Sequence, residues 1–423
     1  MHSPPMLSTL AADTDYDPDS MPVAKAREYI RAFLSPVTAS ERLHLRAALG
    51  RVLAQDIKST MNVPANDNSA MDGYAVRHAD LTSDGDVTLS VAGSSFAGRP
   101  FDGAAGPKQA VRIMTGGVMP SGFDTVVMQE RVRRDGDRVT FPGNQQKGQN
   151  VRYAGDDIRQ DAVVFPRGQI LHPAELGMIA SLGIGEVSVY RKLRVAFFST
   201  GDELIPIGTP LATGQIYDSN RYTLYGMLTR LGVEIIDMGS IRDDPAAIER
   251  AFDDAAHAAD VVITSGGVSV GEADFVKQIL DRLGEVLFWK IAMKPGRPLA
   301  YGKVADAHFF GLPGNPVSAM VTFYQFVREA LLVLMGVTNA APLPVLQAIC
   351  TTAIKKAPGR TEFQRGILSS DADGKWTVRV TGNQGSGILS SMSQANCFIV
   401  LPDAQGNTAA SALVDVQILE GLI

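Results

Sequence analysis

From Arg194 onward, short apolar runs alternate with stretches of helical period. Val195–Ser199, Val233–Met238, Val261–Thr264, Val286–Ala292, Leu299–Gly302 and Phe309–Leu312 are the length and composition of strands, several of them apolar throughout, as strands buried on both faces are. Between them, Leu224, Met227, Leu228 and Leu231 recur at helical spacing before a stop at Gly232. Asp244-Pro245 opens a second helix as cap and first-turn proline, with Ile248, Phe252, Ala255 and Ala259 facing inward. Val276, Ile279, Leu280 and Leu283 mark a third, ending at Gly284, and a long one is predicted from Val317 to Met335. This alternation predicts a mostly parallel sheet covered by helices on both faces, with ligands bound outside the carboxyl ends of its strands.

The flanks have another texture. A helix is predicted from about Pro22 to Leu34, a short one around Leu43–Leu49, and a strand at Val52–Ile57. From Val87 to Val139 short strands alternate with Gly/Pro turns, which predicts a compact β-rich unit. Pro173–Leu182 reads as a helix and Glu186–Tyr190 as a strand that returns toward the N-terminal helices, so the β-rich unit is expected to be an insertion. From about Asn339 strands return, at Val345–Thr351, Thr361–Ile367, Trp376–Val380 and Cys397–Leu401, a small β domain of ordinary size. No run is expected to reach the roughly 18 apolar residues of a membrane span.

Composition narrows the class. A chain of 423 residues with 45% apolar and 20% charged residues is globular and holds two to four domains. A formal charge of -6 argues against a general nucleic-acid or acidic-membrane binder. Cys350 and Cys397 are the only cysteines and neither has zinc-ligand spacing, so a reducing, cytosolic setting is expected. Residues 1–20, with Asp13, Asp15, Asp17 and Asp19, read as a disordered acidic tail rather than a signal peptide.

Candidate chemistry gathers at the predicted strand ends. Ser265-Gly266-Gly267 breaks the Val261–Thr264 strand before a helix, a turn that lets a ligand approach the backbone. Gly201-Asp202-Glu203, Arg242-Asp243-Asp244 and Pro313-Gly-Asn-Pro316 follow strands of the same unit and share its rim. Glu272 and Asp274 lie just past the glycine turn, and Lys290 and Lys294-Pro-Gly296-Arg297 add positive charge. Acids, glycine amides and lysines on one rim are the parts of a phosphate and divalent-cation site. A tight turn with helix caps and solvated acids would give the same residues, and both readings stay open at this point. Thr115-Gly116-Gly117 also follows a strand, Asp72 precedes Gly73 in an Asx-rich loop, and Arg152 and Gly155-Asp156-Asp157 occupy a polar loop.

Longer motifs carry a resemblance. Asp67-Asn-Ser-Ala-Met-Asp-Gly-Tyr-Ala-Val76, Ile113-Met-Thr-Gly-Gly117, Gly155-Asp-Asp157, Ser199-Thr-Gly-Asp-Glu-Leu204, Ser265-Gly-Gly-Val-Ser-Val-Gly-Glu-Ala-Asp274, Lys294-Pro-Gly296 and Gly311-Leu-Pro-Gly-Asn-Pro-Val-Ser318 resemble the molybdopterin molybdenumtransferase family, which includes bacterial MoeA and the E domain of gephyrin. The resemblance runs from about Pro22 to the C-terminus. It implies a multidomain α/β plus β protein: an extended N-terminal dimerising domain (21–60 and 150–190), a β-rich inserted domain (61–149), a mostly parallel α/β/α molybdopterin-binding domain (191–338) and a C-terminal β domain (339–423). It also implies a cytoplasmic homodimer whose active sites lie between subunits. The partners it suggests are molybdopterin adenylyltransferase and downstream molybdenum-cofactor proteins, with no nucleic acid and no membrane.

The implied reaction inserts molybdate into adenylylated molybdopterin with Mg²⁺ and releases AMP. By resemblance, Glu203, Asp243 and Asp274 are metal and pyrophosphate-site acids, and Lys290 and Lys294 bind anions. Asp72, Thr115, Arg152 and Asp157 come from the inserted-domain side and complete the partner's cleft. Arg365 and Ser386, with Pro313 and Pro316 as wall, form a molybdate pocket, and Ser265, Gly266 and Gly267 its pterin-phosphate floor. Arg297 stands where Lys is expected in many relatives; Arg also binds oxyanions. Two rivals are a molybdopterin adenylyltransferase, which the α/β unit alone resembles, and a gephyrin-like scaffold. The Asp67–Val76 motif with both β domains speaks against the first, and the lack of a second fused enzyme domain or long linker in this sequence against the second.

Overall fold

A computed structural model describes residues 16–267 and 274–419 of the chain. Its centre is a six-stranded sheet made by β1 (Arg194–Thr200), β2 (Glu234–Ile241), β3 (Val261–Ser265), β4 (Gly284–Lys290), β5 (Pro298–Val304) and β6 (Ala307–Leu312). The spatial order is β2-β1-β3-β6-β5-β4. The first three pairings are parallel, while β6–β5 and β5–β4 are antiparallel, so one edge of the sheet is a meander.

Both faces are covered. Helices α1 (Ser219–Leu231) and α4 (Pro316–Leu334) bury Leu224, Met227, Leu228, Val317 and Val321 against Val195, Phe197, Ile263 and Phe310. On the other face, α2 (Pro245–Ala258) and α3 (Asp274–Leu283) set Ile248, Phe252, Val276 and Ile279 on Ala196, Phe198, Val262 and Phe309. Successive residues of β1 and β3 thus enter opposite cores, which is why these strands have no polar alternation. Asp244 accepts from the backbone N–H of Ala247 and Gly232 ends α1 at φ 75°, as the sequence predicts, while the cap of α1 is Asp218, which accepts from the backbone N–H of Arg221, and not Ser219 or Asn220.

α4 corrects the expectation that no apolar run reaches membrane-spanning length. Its 19 residues pass by length and hydropathy, but 78% of the apolar window is buried inside the fold, making it the core helix of the α/β unit. A π turn at Phe323–Val327 interrupts it, and there the buried Gln325 accepts from Arg27 and donates to Gln417.

The N-terminal helix forms at Val23–Phe33 and packs Ala26, Tyr29, Ile30 and Phe33 into the core under α4. The short helix expected at Leu43–Leu49 is instead a strand, Ser40–His44, followed by a 3₁₀ turn at Leu45–Ala48. Pairing with Glu186–Tyr190 satisfies that strand's backbone, a long-range gain that local period cannot reveal. The strand expected at Val52–Ile57 is reduced to bridges from Val52 to Ile170 and Leu53 to Val189, plus the pair Ile57–Lys58, because the chain changes partner along its length. Tyr16–Ser20, expected within the tail, dock on the central sheet: the Tyr16 hydroxyl accepts from the Trp289 indole and the Pro18 carbonyl from the Lys290 N–H. The rest of the expected tail lies outside the described residues.

Pairs Ile57–Lys58 with Val163–Phe165 and Asn68–Ser69 with Val151–Arg152 bracket a second six-stranded sheet. That sheet contains Gly73–Val76, Val87–Ser95, Gln109–Ile113, Thr125–Met128, Arg133–Asp135 and Arg138–Phe141. A third sheet holds Val345–Cys350, Thr361–Ser370, Trp376–Val380, Cys397–Leu401 and Leu413–Ile418. Cys397–Leu401 pairs with both Leu413–Ile418 and Thr361–Ser370, which rolls the sheet toward a barrel. Met293–Lys294, between β4 and β5, adds to its edge beside Thr361–Glu362.

Candidate functional site

The parallel registers align Ser199 with Ser265 and Ser265 with Leu312, so β1, β3 and β6 end level. Beyond those ends lies a cavity of about 840 Å³. Glu203, Asp243, Ser265, Gly266, Gly267, Pro313 and Pro316, all singled out from sequence, line it together. Local geometry requires the glycines. Gly266 has φ 93°, and a Cβ there would meet the Thr200 carbonyl oxygen at 2.7 Å; at Gly201, φ 145°, a Cβ would strike the Glu203 carboxylate.

The cavity differs from the expected phosphate cradle in two ways. The Gly266 N–H donates to the Leu312 carbonyl at 3.1 Å, and the Val317 N–H at the start of α4 donates to the Ser386 carbonyl at 3.1 Å, so neither is open to an anion. Nor, among the described residues, does any lysine, arginine or histidine line it, whereas three acids do: Glu203, Asp218 and Asp243. The two lysines expected beside it are turned to acids of other segments. Lys290 Nζ lies 2.5 Å from Asp19 and Lys294 Nζ 3.6 Å from Glu362. Lys294 instead borders a basic hollow with Lys355, Lys356 and Arg360.

Asp243 donates its backbone N–H to Asp202 at 3.2 Å, which fixes the turn after β2. The Glu203 carboxylate has no hydrogen-bond or ion-pair partner among the described residues. Among the described residues no three His, Cys, Asp or Glu side chains are grouped to hold a metal. Glu272 and the side chain of Asp274, where α3 begins, lie outside the described residues.

On the third sheet, Arg365 is 1% exposed and burial pulls its guanidinium down to about 10, so it stays cationic at neutral pH. Its Nε donates to the Ser391 hydroxyl at 3.0 Å and its Nη2 to the Gly385 carbonyl at 3.1 Å, and no carboxylate lies within ion-pair distance among the described residues. It therefore supports the loop that sends Gly387 and Leu389 into the cavity wall, with Ser386 between them and Gly385. Arg365 and Ser386 are not themselves lining residues.

The remaining candidates sit on the inserted side. Asp72 Oδ1 accepts from the N–H and hydroxyl of Thr115, which hold its carboxyl below the usual range. Asp157 lines a second hollow of about 740 Å³ with Tyr153, Arg159 and Phe165, and Arg152 pairs with Asn68.

Three family models match the chain: the MoeA N-terminal region (domain I and II) over residues 21–183, a probable molybdopterin-binding domain over 196–333, and the MoeA C-terminal region (domain IV) over 347–419. The molybdopterin molybdenumtransferase of Haemophilus influenzae is 50% identical over 381 residues, 90% of this chain and 94% of that protein. The chain belongs to the molybdopterin molybdenumtransferase family. A family member from Nostoc is 38% identical across 90% of this chain and 88% of its own. The crystal structure of the Pyrococcus horikoshii molybdopterin biosynthesis MoeA protein superposes with a TM-score of 0.83 at 29% identity, over 95% of this chain and all of that one. Within this family framework, the cavity also holds polar side chains to which the sequence assigned no site role, among them Ser199, Thr200, Asp218 and Asn220. The available signal was Asp218-Ser219-Asn220, three polar residues where one suffices to cap a helix.

Proposed function

We propose that this chain is a molybdopterin molybdotransferase that inserts molybdate into adenylylated molybdopterin and releases AMP, forming molybdenum cofactor. The observation that carries the reading is the cavity at the strand ends of a chain whose family relatives bear that enzyme's name. Matches on both flanks of the α/β unit favour it over the adenylyltransferase alternative. Opening a phosphoanhydride while an oxyanion approaches asks the protein mainly for positioning and charge neutralisation.

In this reading the pyrophosphate lies over Ser265–Gly267, and Pro313 and Pro316 stiffen the wall beside it. Leu204, Ile216, Tyr217 and Leu389 offer apolar surface to a planar ring. Arg365 and Ser386 support the molybdate end: a buried guanidinium without a carboxylate favours an incoming dianion. Lys290 and Lys294 draw anions toward the rim once they exchange Asp19 and Glu362 for substrate.

The donor set suits Mg²⁺. Glu203 and Asp243 are hard oxygen donors in one cavity, Asp274 begins the helix after the glycine turn, and an anionic substrate entering among three acids needs a cation. Bound there, Mg²⁺ would neutralise pyrophosphate charge, and this chain's residues would orient the substrate and keep the approach open to molybdate.

The remaining site residues are read across a homodimer, with Asp72, Thr115, Arg152 and Asp157 serving the partner's cleft. Tyr222 and Tyr225, each 51% exposed on one face of α1, are suited to burial by a second copy. Two buried free thiols fit a cytoplasmic enzyme that hands its product to downstream molybdenum-cofactor proteins. Purified protein given adenylylated molybdopterin, Mg²⁺ and molybdate should release AMP. Folded protein that releases no molybdate-dependent AMP would overturn the reading.

A further inference from the structure

Strand directions put Lys290 at the cavity's end of the sheet. β4 and β6 are each antiparallel to β5, so β4 runs the same way as β6, and Lys290, its last residue, sits at the sheet edge where the cavity opens. Lys290 is in register with Pro298, which lines the cavity. Arg297 precedes Pro298, and its carbonyl accepts from the Ile291 N–H at 2.6 Å, so both cations stand on one short turn at the rim.

The chain's own carboxylate already occupies that place. Asp19 Oδ1 accepts from Lys290 Nζ at 2.5 Å. The hydrogen bond and charge of Lys290, with a smaller pull from Arg297, hold the Asp19 carboxyl below its ordinary 3.8. The contact is built, because the backbone around Asp19 is tied to the end of β4. The Lys290 N–H donates to the Pro18 carbonyl at 2.7 Å, the Met21 N–H to the Lys290 carbonyl at 3.0 Å, and the Ala292 N–H to the Met21 carbonyl at 2.8 Å. Met21 is fully buried, and the Tyr16 hydroxyl accepts from the Trp289 indole at 3.1 Å. Asp17 Oδ1 accepts from the Asp19 N–H at 2.9 Å, which sets the turn that presents Asp19 to Lys290.

Backbone and side chain differ in how firmly they are held. The Asp19 side chain is 74% exposed and that of Lys290 38%. An exposed ion pair contributes little to stability and exchanges readily. Tethering keeps the carboxylate at high effective concentration beside Lys290 even when it lets go. A monovalent carboxylate held this way is a weak rival to a pyrophosphate, which brings more charge and more acceptor oxygens to the same donors.

We propose that Tyr16–Met21 is an autoinhibitory strap: the Asp19 carboxylate fills a substrate-anion seat beside Lys290 and Arg297, and an incoming phosphoanhydride displaces that side chain while the strap's backbone stays on the sheet. The strap thereby sets a threshold of anion charge at the cavity mouth. This deepens the transferase reading and rests on it for the role of Lys290.

The test is a calorimetric titration of the full chain with inorganic pyrophosphate in Mg²⁺ buffer. Asp19→Asn keeps the side chain's shape and removes its charge. Its melting temperature should barely move, while pyrophosphate should bind about two- to fivefold tighter, the range of one exposed ion pair. In a Lys290→Met background the same substitution should leave the affinity unchanged, because the competition runs through Lys290. Binding by Asp19→Asn as weak as wild type overturns the strap, and weaker binding overturns it by making Asp19 a support that positions Lys290. A gain that survives Lys290→Met also overturns it, since removing any negative charge near the cavity would then suffice. Molybdate-dependent AMP release by wild type with unchanged pyrophosphate affinity in Asp19→Asn removes the strap alone. A Lys290-dependent gain in protein that releases no AMP removes the transferase reading alone.

Discussion

Asp72 and Thr115, 43 residues apart, meet through one carboxylate oxygen that accepts from the Thr115 N–H and hydroxyl, each at 2.8 Å. The bonds hold the Asp72 carboxyl below its ordinary 3.8, the backbone bond contributing most. A depressed folded value means the tie is whole above pH 3.8 and lost as pH falls through the lower, folded value. Thr115→Val keeps the backbone bond and deletes the other, so the Asp72 midpoint should move up toward 3.8. Carboxyl-carbon NMR titration reads it, and an unmoved midpoint would mean the hydroxyl bond does not form in solution.

Glu203 has no donor to lose among the described residues, so Glu203→Gln changes charge at almost constant shape. Its melting temperature should match wild type while AMP release falls at least tenfold, about 1.4 kcal/mol of transition-state stabilisation. Turnover within twofold of wild type would return Glu203 to the role of a solvated turn acid.

Arg365 is tested by Arg365→Lys, which keeps the charge but not the fork that reaches both Ser391 and Gly385. The loop should loosen, costing about 1–3 kcal/mol in urea unfolding. The KM for molybdate should rise more than the KM for adenylylated molybdopterin. Equal rises in both would argue that the loop shapes the whole cavity and not its molybdate end.

Arg191 grips Asp260 through two bonds of 2.7 Å, and the Arg194 N–H adds a third at 2.8 Å. Burial raises the Asp260 carboxyl, but these donors outweigh it and hold the carboxyl below 3.8. Their contribution is therefore present above pH 3.8 and fades below, through the folded value. Asp260→Asn should cost about 1–2 kcal/mol at pH 7, the lower part of the range for charged hydrogen bonds because the pair is partly exposed, with a smaller loss at pH 3. An equal loss at both pH values would contradict this.

The α/β unit was legible because buried strands, helix stripes and caps are local signals, and β1, β3 and β6 end where the pattern ends. Ser40–His44 was illegible because its strand exists only beside Glu186–Tyr190. At the site, Glu203, Asp243 and the Ser265 turn were readable as strand-end residues. The ties of Lys290 and Lys294 were not, since Asp19 and Glu362 are distant in sequence. Asn220 is one of three polar residues at the start of α1, and because Asp218 makes the cap, Asn220 reaches across to β3 and the turn after β6.

The cavity's lining, three carboxylates and no basic side chain among the described residues, has a thermodynamic consequence. A polyanion entering alone meets repulsion, and a cation entering alone gives up hydration with no counter-charge from substrate. Each therefore raises the affinity of the other, by the same factor in both directions. Titrating either ligand singly will understate its affinity, and the pair will bind with positive heterotropic cooperativity that fades with added salt.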